Sequence, residues 1–201
     1  MIYWISHGLF TIFSKLLFPV KVHGLKNIPS RGGFILASNH LSNLDPMLLG
    51  IASGRRLNYL AKESLFKNWF FSFFLYQVGA FPIKRGSSDV GAIKEALKRL
   101  KRGGGMVIFP EGTRRKTKDG TKSVQPGIGL VAAKSGVPVI PAFILNSEKV
   151  MPTGSKFIKP ARITVSFGKP AQYSMSQSYY DVAQNIMDEI DSLSNFNPSG
   201  R

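Results

Sequence analysis

The chain has 201 residues, 43% of them apolar, which fits one domain with a substantial core and makes a single α/β domain the default. Its 27 lysines and arginines against 11 aspartates and glutamates give a net charge of +16, favouring anionic partners such as phosphates, anionic lipid or acidic proteins. The absence of cysteine excludes disulfides, a thiol nucleophile and cysteine metal sites, and the three histidines show no paired metal-binding spacing, so no metal is expected.

Residues 1–20 carry Ile2, Ile5, Leu9, Ile12, Phe13 and Leu16 at helical spacing, with aromatic Trp4, Phe10 and Phe13 among them. This pattern predicts a helix lying in a membrane interface, with a helix packed on the core as the competing reading. Lys15 and Pro19 leave the segment short of the ~20 predominantly apolar residues of a membrane span. It also lacks the basic start and small-residue cleavage site of a signal peptide.

Residues 20–23 read as a first strand, and the glycine- and proline-containing stretch 27–33 as a loop. The apolar run 34–37 is the next strand; it stops at Ser38-Asn39, and Asp45-Pro46 reads as a helix N-cap followed by proline at the first helical position. His40 therefore falls in a strand-to-helix loop. Five residues apart on one helix, His40 and Asp45 would point about 140° apart, whereas a folded-back loop can bring them together. A carboxylate on one ring nitrogen of a histidine fixes its tautomer and stabilises the imidazolium, which makes His40 and Asp45 a candidate acid–base dyad.

Residues 46–52 form a short apolar helix and 57–61 a strand. The block 65–76 follows, in which Trp69, Phe70, Phe71, Phe73, Phe74 and Tyr76 leave almost no polar helix face. Such a segment is either deeply buried or in contact with lipid or an acyl chain. Residues 79–85 end in Lys84-Arg85, and 88–102 form an amphipathic helix with Val90, Ile93, Leu97 and Leu100 inward. Three glycines stop that helix, and a buried strand over 106–109 delivers Pro110-Glu-Gly-Thr-Arg-Arg115. Gly112 permits close backbone approach and guanidinium forks match phosphate oxygens, so Lys84, Arg85, Arg114 and Arg115 could converge on one phosphate. A polar loop is expected over 116–125. Residues 127–132 formally fit a dinucleotide fingerprint, but no strand precedes them and they read as a helix start. A buried strand over 137–144, a half-exposed alternating strand over 161–167 and a closing helix over 177–193 complete the chain.

Four blocks in this order resemble the glycerolipid acyltransferase family, and within it the bacterial 1-acyl-sn-glycerol-3-phosphate acyltransferases. They are Asn39-His-Leu-Ser-Asn-Leu-Asp45, residues 79–85, Phe109-Pro-Glu-Gly-Thr-Arg114 and Val137-Pro-Val-Ile-Pro141. The resemblance covers roughly residues 20–170 and implies a mostly parallel central sheet flanked by helices, with an amphipathic N-terminal membrane-binding helical element. It divides the chain into an interface helix over 1–20, an acyltransferase domain over 21–195 and a flexible tail over 196–201.

By the same resemblance His40 is the general base and Asp45 orients it. Arg85, Glu111, Gly112, Thr113 and Arg114 belong to the acceptor's glycerol-phosphate site, with Lys84 and Arg115 as further candidates. Lys84 departs from the family, in which an acidic residue often precedes this arginine. Trp4, Phe10, Phe13, Trp69, Phe70, Phe73 and Phe74 are the candidates for acyl-chain or membrane contact. The implied reaction moves an acyl group from acyl-CoA or acyl-acyl carrier protein to the sn-2 hydroxyl of 1-acyl-glycerol 3-phosphate (lysophosphatidate), giving phosphatidate. Glycerol 3-phosphate or another lysolipid is the alternative acceptor. The implied place is the cytoplasmic face of the inner membrane, on an anionic surface, with no bound cofactor.

Neither a cysteine nor a G-x-S-x-G elbow is present, so direct transfer without an acyl-enzyme is expected. Two readings from other classes compete: a basic nucleic-acid-binding protein and a non-catalytic membrane-surface protein. The aromatics cluster in apolar segments instead of interleaving with the basic ones, so no nucleic-acid partner is expected.

Overall fold

The computed structural model describes residues 2–84, 89–112, 124–152, 154–155 and 157–195. Arg85, Thr113, Arg114, Arg115, most of the expected polar loop and the expected tail lie outside the described residues.

Seven strands form one sheet: β1 (Val20–His23), β2 (Phe34–Ser38), β3 (Leu57–Lys62), β4 (Ala80–Ile83), β5 (Gly105–Ile108), β6 (Val139–Leu145) and β7 (Ile163–Phe167). Their order is β1-β7-β6-β2-β5-β3-β4, and every pairing is parallel except β6 with β7. Five strands thus run one way and β7 and β1 the other. The mostly parallel sheet flanked by helices is the architecture expected from the sequence.

The two faces of β2 show how the core is built. Its five residues are all buried, the mark of a central parallel strand covered on both sides. Successive side chains alternate between faces, so Phe34 and Leu36 enter one apolar cluster and Ile35 and Ala37 the other. The first cluster lies under α1 (Ile2–Leu17) and α2 (Asp45–Ser53), through Phe18, Leu48 and Leu49. The second lies under α4 (Val90–Lys101), α5 (Pro126–Ser135) and α7 (Tyr179–Ser192), which contribute Ala96, Leu100, Ile128, Val131, Val182 and Ile186. Fully burying one such aliphatic side chain stabilises by about 1.5–3 kcal/mol, so the two layers hold the sheet rigid beneath its loops. Gly129 permits the α5–α7 crossing, since a Cβ there would lie 1.9 Å from the Tyr179 carbonyl oxygen.

Several expectations need correction. In α4 Leu100 is buried with Ala92 and Ala96, and Ile93 and Leu97 pack partly buried against the same cluster as expected, while Val90 is 58% exposed. β7 is buried at four of five positions and does not alternate, because α2 and the 3-10 turn Leu25–Asn27 also pack against it. The aromatic block is not one helix: a 3-10 turn (Glu63–Phe66) precedes α3 (Trp69–Gln77), which starts where the Asn68 side chain accepts the Phe71 N–H at 3.0 Å. No residue of α3 is buried, so of the two readings of the block deep burial is the one excluded.

α1 turns an unusual face inward. Tyr3, Ser14 and the following Phe18 are buried, and Phe10 packs beside Phe18 against the core. The Tyr3 hydroxyl donates to the Arg55 carbonyl at 3.2 Å and accepts the Leu57 N–H at 3.0 Å, tying the helix to the start of β3. Trp4, Ile5, Leu9, Ile12, Phe13 and Leu16 are left exposed. No described helix, the sixteen-residue α1 included, is long and apolar enough to cross a membrane.

Candidate active site

The carboxyl ends of β2, β5, β3 and β4 lie along one edge of the sheet, and the motif residues sit just beyond them. In open parallel sheets this edge is where ligands bind. Ala37 pairs with Ile108, so the chain leaves β2 towards His40 beside the point where it leaves β5 towards Phe109.

Between β2 and α2 the loop folds around one carboxylate. Oδ2 of Asp45 lies 2.9 Å from Nδ1 of His40 and accepts the N–H groups of Leu41 and Ser42, both at 2.7 Å. Asp45 is fully buried and His40 is 7% exposed. A buried carboxylate needs such donors. Here three converge on one oxygen, while Oδ1 has no partner among the described residues.

Asp45 is therefore not the helix cap that its position before Pro46 suggests. It is the first residue of α2, Leu44 takes the cap position with no side-chain bond, and the carboxylate points back into the loop. Proline at the helix start remains as expected, because its missing N–H leaves no bond unmade there.

The geometry assigns the ring nitrogens. Nδ1–H donates to Asp45, and Nε2 makes no hydrogen bond among the described residues, so its lone pair is available to a proton. Phe109 stacks on the imidazole with centroids 4.0 Å apart and planes at 15°, which covers one ring face and fixes its plane. Such a dyad can take a proton from an attacking hydroxyl and return it to a leaving group.

Beyond β5 the chain turns sharply. The Gly112 N–H donates to the Phe109 carbonyl at 3.0 Å and the Gln125 N–H to that of Pro110 at 2.9 Å, so Glu111 and Gly112 lie in a tight turn that starts at Phe109, the residue stacked on His40. Gly112 has φ of 64°, and a Cβ there would come within 2.7 Å of the Gln125 side chain. Lys84 sits farther along the same edge, three strands from β2 and so about 14 Å away at ~4.8 Å per strand. Its ammonium is 4.0 Å from the Glu63 carboxylate, and its N–H donates to Asp89 at 2.9 Å. Asp89 also accepts the Ala92 N–H, and these two N–H groups hold its carboxyl below the usual carboxylate range. The structure thus pairs His40 with Asp45, starts the turn through Glu111 and Gly112 at the Phe109 that stacks on His40, and puts Lys84 three strands away along the edge.

The aromatic candidates divide. Trp4, Phe13, Trp69, Phe70, Phe73 and Phe74 are exposed, Trp69 by 81% and Phe70 by 69%. Phe10 instead faces the core.

Two contributions were not foreseen in the sequence. Phe109 reads from the sequence as part of a strand and a motif; its place on the imidazole is signalled by its position one residue past a buried strand, as His40 is two past another. Asn39 was part of a motif without a role, yet it holds the backbone of Ile144 from across the sheet edge.

Residues 19–145 match the family model described as Acyltransferase. A chloroplastic 1-acyl-sn-glycerol-3-phosphate acyltransferase of Brassica napus is 30% identical over 191 residues, covering 92% of this chain and 53% of the relative. A Bacillus subtilis protein named 1-acyl-sn-glycerol-3-phosphate acyltransferase is 30% identical over 152 residues, covering 75% of this chain and 73% of its own. The crystal structure of the 1-acyl-sn-glycerophosphate (LPA) acyltransferase PlsC from Thermotoga maritima superposes with a TM-score of 0.68 at 25% identity, covering 90% of this chain and 75% of that one. The chain spans about half the length of the plant relative. With the family model matched across the His40 loop and the turn beyond β5, the chain belongs to the acyltransferase family.

Proposed function

We propose that the protein transfers an acyl group from an acyl thioester to the sn-2 hydroxyl of 1-acyl-glycerol 3-phosphate, forming phosphatidate. The observation that carries this reading is the His40–Asp45 pair, with Nδ1 engaged and Nε2 open, at the ligand-binding edge of an acyltransferase fold. The names of the relatives support the choice of acceptor.

In this mechanism His40 Nε2 accepts the hydroxyl proton as the acceptor oxygen bonds to the thioester carbonyl carbon. Asp45 stabilises the imidazolium, the tetrahedral intermediate expels the thiolate, and the imidazolium returns the proton to sulfur. No step needs a group from a cofactor. Ser38 and Ser42 are poor nucleophile candidates: both are fully buried, and their hydroxyls are donated to Asn39 Oδ1 at 3.3 Å and to the Met151 carbonyl at 2.8 Å. Transfer is therefore direct, with both substrates bound at once.

Arg85, Glu111, Gly112, Thr113 and Arg114, with Lys84 and Arg115 as further candidates, bind the acceptor's phosphate and glycerol. Support comes from the turn through Glu111 and Gly112 starting at Phe109, the residue stacked on His40, and from Lys84 lying along the same edge of the sheet. Because the acceptor is an amphiphile, the protein works as a peripheral protein on the anionic cytoplasmic face of the inner membrane. The exposed apolar face of α1 and the exposed aromatics of α3 support membrane or acyl-chain contact.

The test is a panel. Purified protein receives acyl-CoA or acyl-acyl carrier protein with lysophosphatidate, glycerol 3-phosphate or a neutral-headgroup lysolipid. Lysophosphatidate is expected to be the preferred acceptor, and one donor to dominate. Preference for either other acceptor would overturn the substrate assignment, and no acylation of any of them would overturn the enzyme reading.

A further inference from the structure

The chain leaves β2 through Asn39, and a side chain sets how it leaves. β2 and β6 pair in parallel as far as Ser38 opposite Ala142, where the backbone ladder stops. Asn39, 3% exposed, then reaches across: its Oδ1 accepts the Ile144 N–H at 2.8 Å and its Nδ2 donates to the Ile144 carbonyl at 2.9 Å. A carboxamide carries the donor and the acceptor of a peptide unit, so these two bonds replace the next rung while the main chain turns away from the sheet. The residue that turns away is His40.

A further fastening follows two residues on, where the Ser42 hydroxyl donates to the Met151 carbonyl at 2.8 Å. Both ties anchor the loop to one segment, from β6 to the residue just past the helix α6 (Ser147–Val150), 105 and 109 residues away in sequence. Asp45 and Phe109 hold the imidazole itself; Asn39 holds the backbone from which it projects.

We propose that Asn39 is a positioning residue for the reaction: its paired bonds to Ile144 fix the exit of the chain from β2 and so keep the His40 imidazole aligned with Asp45 and the reacting hydroxyl. The proposal rests on the reading of His40 as the base. Without the carboxamide, two buried backbone groups of Ile144 lose their partners, and the loop must move to resatisfy them. A displacement of about 1 Å at a reacting group costs roughly a hundredfold in rate. The loss should appear in kcat, since Asn39 is buried and both polar ends of its side chain are bound to Ile144.

The test compares the intact protein with its Asn39→Ala, Asn39→Asp and His40→Ala variants, measuring kcat and the lysophosphatidate KM per folded molecule. One-dimensional proton spectra follow the His40 Nδ1–H signal, assigned as the resonance missing from His40→Ala. Asn39→Ala is expected to lose about tenfold to a hundredfold in kcat, to keep KM within about threefold, and to broaden or abolish the Nδ1–H signal by exposing it to exchange. A lower melting temperature with normal kcat and an intact Nδ1–H signal would make Asn39 a packing residue only and overturn the proposal. If the alanine variant does not fold, Asn39→Asp carries the test: it keeps the side-chain shape and the acceptor for Ile144 N–H but loses the donor, and normal turnover in it would count against the proposal equally. The underlying reading fails separately, if His40→Ala itself stays active.

Discussion

At the residue scale one oxygen atom organises the site. Asp45 Oδ2 gathers the imidazole and two backbone N–H groups, so it shapes the loop as well as the histidine. His40→Ala should lower kcat about a hundredfold or more, the usual contribution of a positioned base. Asp45→Asn should be comparably damaging: even with its amide oxygen in the Oδ2 place it carries no charge to stabilise the imidazolium, and its NH2 group takes the buried Oδ1 place, which has no partner among the described residues. Steady-state rates on protein with an unchanged circular-dichroism spectrum decide both. Gly112→Ala should also fail, because its positive φ and the contact with Gln125 both oppose a side chain. The expected cost is about 1–2 kcal/mol of stability, from the left-handed conformation alone, together with weaker acceptor binding; a thermal melt and an acceptor KM at wild-type values would remove Gly112 from that role.

The dyad was legible in the sequence because its cause is local. A strand ends, a proline starts a helix, and only a folded loop joins His40 to Asp45. The partners of Asn39 and Phe109 were not, because they depend on which strands flank β2, and spacing along the chain does not carry that order. The capping role read for Asp45 was wrong for a physical reason: a buried carboxylate finds more donors in the loop and the imidazole than at the first turn of α2.

At the scale of elements, α1 shows that apolar spacing identifies a helix without saying which side faces in. The exposed row is the apolar one, and the buried row includes Tyr3 and Ser14, held through the Tyr3 hydroxyl and the small Ser14 side chain. Replacing Leu9, Ile12 and Leu16 together by Ser should weaken sedimentation with anionic vesicles and leave the melting temperature within a degree or two, because none of them is buried. Undiminished sedimentation would move the contact to α3, where Trp69→Ser with Phe70→Ser is the corresponding probe. Deleting α1 would be a poorer experiment, since it uncovers the core around Phe18.

Asp89 gives an element-scale prediction with a definite pH sign. Its carboxyl accepts the N–H groups of Lys84 and Ala92 and is held below the usual range, so the stabilisation is present above the unfolded value of about 3.9 and is lost as pH falls through the folded value. Asp89→Ala should lower stability at neutral pH by about 0.5–1 kcal/mol, the low end for a helix cap because the group is exposed. The difference should shrink towards zero in strong acid. Urea melts at pH 7 and pH 2.5 check it, and an equal difference at both would contradict the charge-dependent part.

For the whole molecule, the fold class was legible because buried strands alternate with helices along most of the chain. The edge that gathers the site follows from the parallel order, which places the ends of β2 and β5 side by side. The net charge of +16 gives the molecule a field suited to anionic substrates and surfaces. Direct transfer has a signature at this scale: initial-rate plots at several fixed donor concentrations should intersect, and intact-protein mass after incubation with donor alone should show no acyl adduct. Parallel lines with a stoichiometric adduct would mean a covalent route.

The central claim is that His40 drives acylation of lysophosphatidate. Phosphatidate formation should therefore be measured with purified wild-type and folded His40→Ala protein, at saturating acyl thioester and with lysophosphatidate as the sole acceptor. The wild type should give sn-2-acylated phosphatidate and the variant at least about a hundredfold less. Similar rates from the two proteins, or no phosphatidate from the wild type with either thioester donor, would contradict it.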